Sequence, residues 1–143
     1  MRAIYPPQTV MVMINRLSKT PVIAIVEDDE AVREALSDLL QVLNLPHRSF
    51  DRAESFLEEH APGRFDCLIT DLRMPGIGGL ELLRRLRAQG SSMPTIVVTS
   101  VTDSKTRAQA IEDGAQAFLA KPVSDEVLIA HLKSLLQWDL PHQ

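Results

Sequence analysis

The chain has 143 residues, of which 45% are hydrophobic and 24% charged, the balance of one globular domain with a single core rather than of a disordered or fibrous protein. A formal charge of −4 leaves little with which to displace counterions from phosphates, so direct nucleic-acid binding by this chain is not expected. No apolar run reaches the ~18 residues that span a bilayer, and no charged-then-apolar leader precedes a small-residue cleavage site, so the expectation is a cytoplasmic protein without membrane contact.

Residues 1–20 stand outside any repeating pattern and read as an N-terminal extension, although Val10 to Ile14 is apolar enough to begin a strand or helix; Met11 and Met13 read as packing or initiation residues. From Pro21 the pattern becomes regular. Val22 to Val26 is a short, wholly apolar run, as a strand buried on both faces should be, and it ends in Glu27, Asp28, Asp29 and Glu30. Apolar residues at Val32, Ala35, Leu36, Leu39, Leu40 and Leu43 then predict a helix with one buried stripe, stopping near Asn44 to Pro46. His47 to Phe50 is a strand candidate, and Ala53 to His60 a short helix closed by Pro62 and Gly63.

Cys67 to Thr70 is the next buried strand and delivers Asp71 at its carboxyl end. Cys67 is the chain's one cysteine, so it has no internal disulfide partner, and its apolar setting reads as a buried structural thiol. A loop with Pro75, Gly76, Gly78 and Gly79 leads to a helix over Leu80 to Ala88 that points Leu82, Leu83 and Leu86 inward. Thr95 to Thr99 is a β-branched strand, Ser104 to Asp113 a helix ended by Gly114, and Ala117 to Lys121 a fifth strand closed by Pro122. Ser124, Asp125 and Glu126 offer N-cap chemistry for a last helix through Leu136. The domain should therefore cover residues 21–138, with 139–143 as a tail.

Five strands alternating with five helices predict an α/β fold, a doubly wound parallel sheet, because parallel neighbours need right-handed crossovers. Ligands of such sheets sit beyond the carboxyl ends of the strands, where the strand order reverses. In the flavodoxin-like order 2-1-3-4-5, Glu27 and Asp28, Asp71, Thr99 and Lys121 converge on one crevice. Singly, each has a bland reading: acids cap helices, a lysine before proline is solvated, a strand-end threonine is a β-former. Together they make a site. Clustered carboxylates raise one another's pKa unless a cation is present, and solvent-facing oxygen ligands suit Mg²⁺, with Mn²⁺ as the alternative. One carboxylate can then accept a phosphoryl group as nucleophile. Asp71, flanked on both sides, is the candidate. Lys121 and the cation would neutralise the phosphoryl oxygens, and the Thr99 hydroxyl would donate a hydrogen bond.

The run Val26-Glu27-Asp28-Asp29-Glu30, the segment Asp71-Leu72-Arg73-Met74-Pro75 with Gly79 downstream, the strand ending in Thr99, and Phe118-Leu119-Ala120-Lys121-Pro122 resemble the bacterial two-component response-regulator receiver family over residues 21 to 138. Glu30-Ala31-Val32-Arg33 and Arg73-Met74-Pro75 look most like the nodulation and nitrogen-fixation type. The resemblance implies that Asp71 is the phosphoacceptor, that Asp28 binds the metal directly, that Glu27 helps through water, and that the Arg73 carbonyl is a further ligand. Glu27 stands where the family more usually has aspartate. The resemblance also implies that Lys121 pairs with the phosphoryl group, that Thr99 and Phe118 are paired switch residues, and that the Lys121-Pro122 bond is cis. The implied partner is a histidine kinase or phosphotransfer protein.

Two other functions fit parts of this pattern. A Mg²⁺-dependent phosphatase-type hydrolase also uses an aspartyl nucleophile, but it needs a second acid two residues on, where this chain has Arg73, which cannot act as a general acid. A non-phosphorylated interaction module would keep the fold with a vestigial pocket. The expectation is a phosphoacceptor that assists its own phosphorylation rather than a turnover enzyme, either as a single-domain receiver or as part of a transcription regulator. Arg84, Arg85 and Arg87 read as a solvated basic face. Lys105, Arg107, Glu112, Asp113, Asp125 and Lys133 read as a mixed-charge output face on the fourth helix, fifth strand and fifth helix, suited to a homodimer.

Overall fold

A computed structural model describes residues 20–137 of the chain; the predicted extension before Thr20, with its Val10–Ile14 run, and the predicted tail from residue 139 lie outside them. The elements, in order, are β1 (Ile23–Val26), α1 (Glu30–Val42), β2 (His47–Phe50), α2 (Ala53–Glu59), β3 (Cys67–Thr70), α3 (Gly79–Ala88), β4 (Thr95–Thr99), α4 (Ser104–Glu112), β5 (Ala117–Ala120) and α5 (Asp125–Leu136). All strand pairs are parallel and the sheet runs β2-β1-β3-β4-β5. The predicted flavodoxin-like order is thus the observed one.

Alternation along the strands divides the core between the two faces of the sheet. Ile23, Ile25, Cys67, Ile69, Ile96 and Val98 face α1 and α5, meeting Leu36, Leu40, Leu128 and Leu132. Ala24, Val26 and Leu68 face the other side, where Phe50, Phe56, Phe65, Leu82 and Leu86 pack. Leu72, Leu83, Val97, Ala110 and Phe118 continue that side beneath α4. Each of these strands is buried on both faces, which is why the sequence shows them as unbroken apolar runs rather than as alternating ones. Burial also pushes the Cys67 thiol up to about 12, with the Asp66 carboxylate adding to it, as a structural cysteine requires.

Side-chain capping sets the starts of α1, α4 and α5. Asp29 accepts from the Val32 N–H at 3.1 Å, Asp103 from Thr106 at 3.0 Å, and Ser124 from Val127 at 3.2 Å. Gly114, at φ +117°, ends α4.

Three expectations are modified. Only part of the predicted stripe is covered: Leu36, Leu40 and Leu43 are buried, whereas Val32, Ala35 and Leu39 line an apolar groove of about 490 Å³ against Val123 and Leu128 of the β5–α5 side. Asp113 does not belong to an exposed output face. It is buried at 8% exposure, because Arg84 Nε bonds its Oδ2 at 3.0 Å and Gln109 Nε2 its Oδ1 at 3.2 Å. The basic face of α3 is correspondingly not free: Arg84 holds Asp113 and Arg87 donates to the Glu112 carbonyl, tying α3 to the end of α4.

Candidate functional site

Backbone register brings the strand ends together. Val26 pairs with Thr70, Thr70 with Val97, and Thr99 with Ala120. Hydrogen bonds carry the ladder one residue further, from Glu27 N to Phe50 O (3.0 Å), Asp71 N to Val26 O (3.1 Å) and Lys121 N to Thr99 O (2.9 Å). Glu27, Asp71 and Lys121 are therefore held by main-chain bonds, not by loops. The Lys121-Pro122 peptide is cis.

The Lys121 ammonium reaches back over the sheet edge and lies 2.7 Å from both Asp71 Oδ2 and Glu27 Oε1. The remaining carboxylate oxygens are also engaged. Asp71 Oδ1 accepts from the Leu72 N–H at 2.6 Å and, more weakly, from that of Arg73 at 3.4 Å. Glu27 Oε2 accepts from the Asp29 N–H at 3.1 Å. Glu27, Asp71 and Thr99 are all buried, and the Thr99 hydroxyl oxygen accepts from the Val101 N–H at 3.2 Å. One carboxylate oxygen each from Glu27, Asp28 and Asp71 lie within 4.8 Å of one another, and of these three acids Asp28 is exposed.

Burial pulls the two buried acids the same way, and their contacts separate them. Burial raises the Glu27 pKa, and the neighbouring Asp71 charge adds to it, so that the bonds from Lys121 and Asp29 do not bring it back to its ordinary value. For Asp71 burial is outweighed by Lys121, the Thr99 hydroxyl and the Leu72 N–H, which hold the carboxyl below its usual range. Lys121 loses something to burial and gains more from Asp71 and Glu27, so its ammonium is held charged above the ordinary value. Asp71 is thus ionised at neutral pH with its charge partners in place.

Two hard, partly shielded carboxylates next to an exposed third fit a small divalent cation that keeps several waters. Glu27, although longer than the aspartate usual at its position, stays within the cluster and also partners Lys121. Phe118, expected from the sequence to be the second switch residue, is buried among Leu83, Val97 and Ala110, and the exposed Arg107 guanidinium lies 5.6 Å from its ring centroid.

Two residues at the site carry no role in the sequence reading. Arg33 Nη1 donates to the Glu27 carbonyl at 2.8 Å and so fixes the acidic turn; an arginine one turn into a helix opposes the macrodipole, which is the signal that it has another task. Glu54, at the start of α2, accepts a hydrogen bond from the Ile77 N–H of the β3–α3 loop at 3.2 Å.

With this geometry described, comparison with known proteins gives a consistent result. The family of the response regulator receiver domain matches residues 23–133. The transcriptional regulatory protein FixJ of Azorhizobium caulinodans is 41% identical over 78% of this chain and 53% of its own length. The response regulator protein TodT of Pseudomonas putida is 35% identical over 93% of this chain and 58% of its own. Among solved structures, that of the response regulator StyR superposes with a TM-score of 0.76 at 36% identity, over 82% of this chain and 60% of that one. The chain spans about half the length of the curated relatives it matches.

Proposed function

The chain belongs to the response regulator receiver domain family of two-component signalling, of the type found in the nitrogen-fixation regulators, and on that premise we propose that Asp71 is its phosphoacceptor. The observation that carries this reading is the Lys121 ammonium, at the end of β5, shared at 2.7 Å between Asp71 at the end of β3 and Glu27 at the end of β1. An Asp71 carboxylate oxygen attacks phosphorus, a P–O bond forms as the P–N bond to the donor imidazole breaks, and the departing ring nitrogen takes up a proton. Asp71 needs no base, because its contacts already keep it ionised. Lys121 is close enough to follow the charge from the carboxylate onto the phosphoryl oxygens, and the Thr99 hydroxyl is available to donate to one of them. Asp28 and Asp71, Glu27 through water and the Arg73 carbonyl would hold a Mg²⁺ or Mn²⁺ ion, which would supply further neutralisation of the same oxygens.

The domain in this reading covers residues 21–138, with 1–20 an extension and 139–143 a tail, and it is a phosphoacceptor rather than a turnover enzyme. Its donor is a cytoplasmic histidine kinase or phosphotransfer protein. The apolar α1–α5 groove, which Lys121 itself lines, supports docking of the donor helix beside the acceptor. The hydrolase alternative is not favoured, since Arg73 occupies the position of its second acid and is exposed.

Incubation of the chain with acetyl phosphate and Mg²⁺ tests the reading. The expected product is one acid-stable, base-labile phosphoryl group, absent from Asp71→Asn and absent when excess EDTA is added. Normal labelling of Asp71→Asn contradicts the acceptor assignment; undiminished labelling in EDTA contradicts the cation site.

A further inference from the structure

The segment that follows Asp71 is fixed at both ends. At its start the Leu72 and Arg73 N–H groups point to Asp71 Oδ1, and at its finish the Gly79 N–H returns to the Leu72 carbonyl at 2.9 Å. Between them, from Met74 to Gly78, one hydrogen bond arrives from another element among the described residues: that of the Ile77 N–H to Glu54 Oε2, 3.2 Å, from the first turn of α2. The carboxylate is set into the loop rather than laid on it. A Cβ on Gly76 would stand 2.2 Å from Glu54 Oε2 and within 3.2 Å of Cδ and Oε1, and Gly76 has φ +76°, so the turn is built around this side chain. Glu54 Oε1 is buried and has no hydrogen-bond partner among the described residues. Leaving a carboxylate oxygen so placed is costly, and a glutamate kept there at that cost has a positional task.

We propose that Glu54 is a positioning residue for the divalent-cation site, acting by holding the 74–77 turn and through it the Arg73 peptide. The inference rests on the phosphoacceptor reading above, in which the Arg73 carbonyl is a ligand. Groups that orient ligands from behind set metal affinity more than they set the chemical step. Met74 and Ile77 pack against the Phe50–Phe56–Phe65 cluster, so the turn has apolar contacts that keep it folded without Glu54. What Glu54 adds is the direction of the backbone.

The test is Mn²⁺ binding to the full chain, read from the free-ion electron paramagnetic resonance signal, beside acetyl-phosphate labelling at saturating Mg²⁺ and a thermal melt. Glu54→Ala should raise the Mn²⁺ Kd about tenfold while its labelling rate at saturating Mg²⁺ stays within about twofold of wild type. Glu54→Gln, whose amide oxygen can accept the same N–H, should recover most of the affinity. Gly76→Ala, which pushes a methyl group onto Oε2, should weaken binding as Glu54→Ala does. Unchanged Kd in Glu54→Ala, or equal weakening in Glu54→Gln, overturns the proposal; so does a lowered melting temperature with no shift in Kd, which marks a purely structural contact. Wild-type protein that neither binds Mn²⁺ nor labels overturns the phosphoacceptor reading itself, and this proposal with it.

Discussion

At the scale of single residues the site depends on how one ammonium is shared. Lys121 faces two buried carboxylates, and deleting it leaves both without their main charge partner. Lys121→Met should therefore lower stability at pH 7 by roughly 2 kcal/mol, the usual cost of stranding a buried polar group, and should slow labelling from acetyl phosphate. Mg²⁺ affinity should move the other way, since the ion no longer competes with the lysine for Asp71. The pH dependence has a definite sign. The Lys121 pKa is raised in the folded state, so its contribution is complete below the ordinary 10.5 and disappears as the pH rises through its higher folded value. Urea titrations of both proteins should show the stability gap closing in that alkaline range; a gap constant to high pH contradicts the pairing. Asp71 behaves oppositely, contributing above its ordinary 3.8 and losing the contribution as the pH falls through its depressed value. Residue types at strand ends made Asp71, Glu27, Asp28, Thr99 and Lys121 legible in the sequence, because strand ends converge by topology. Glu54 and Arg33 were not legible as site residues: their partners are backbone groups 23 and 6 positions away, and no residue type announces a backbone contact.

Among the elements, the central strands β1, β3 and β4 were read almost residue for residue, because full burial leaves a run such as Cys67-Leu68-Ile69-Thr70 no choice of composition. The helix faces were less legible. A charged residue gives no sign of whether its partner is water or another helix, and Asp113 illustrates this: it looks like surface, yet it is the buried end of a clamp from Arg84. Arg84→Ala should cost about 1–3 kcal/mol in urea denaturation by stranding that carboxylate beside Gln109 alone, with labelling of Asp71 retained; a neutral substitution would show the clamp to be idle. The join between β3 and α3 is more demanding. A Cβ at Gly79 would lie 2.3 Å from the Asp71 carbonyl and 2.8 Å from Leu72 Cα, both backbone atoms that cannot swing aside. Gly79→Ala should consequently reduce both stability and the labelling rate, the second measured at a temperature where the variant remains folded. Unimpaired labelling there would contradict the tight coupling of this turn to Asp71.

For the whole molecule, the question is how charge at one edge of the sheet reaches the face formed by α4, β5 and α5. Thr99 ends β4 and is completely buried, while Phe118 in β5 is buried under α4 with Arg107 over its ring. If a phosphoryl group engages the Thr99 hydroxyl, it should bias the packing of Phe118 and, through it, the exposed Lys105, Arg107, Glu112, Asp125 and Lys133 of that face. The expectation of a homodimer through this face would have these charges pair across a twofold axis. Sedimentation with a beryllofluoride phosphoryl mimic should show the mass rising toward that of a dimer, and Thr99→Ala should suppress the rise; a mass indifferent to the mimic rules out this face as the output. All of this depends on Asp71 being the residue modified, and that can be measured directly. Borohydride reduces an aspartyl phosphate to homoserine, so protein treated with acetyl phosphate and Mg²⁺, reduced, digested and sequenced by mass spectrometry should carry homoserine at position 71 and at no other acid. Homoserine at position 28 instead, or phosphate recovered on a histidine with position 71 unchanged, would contradict the account.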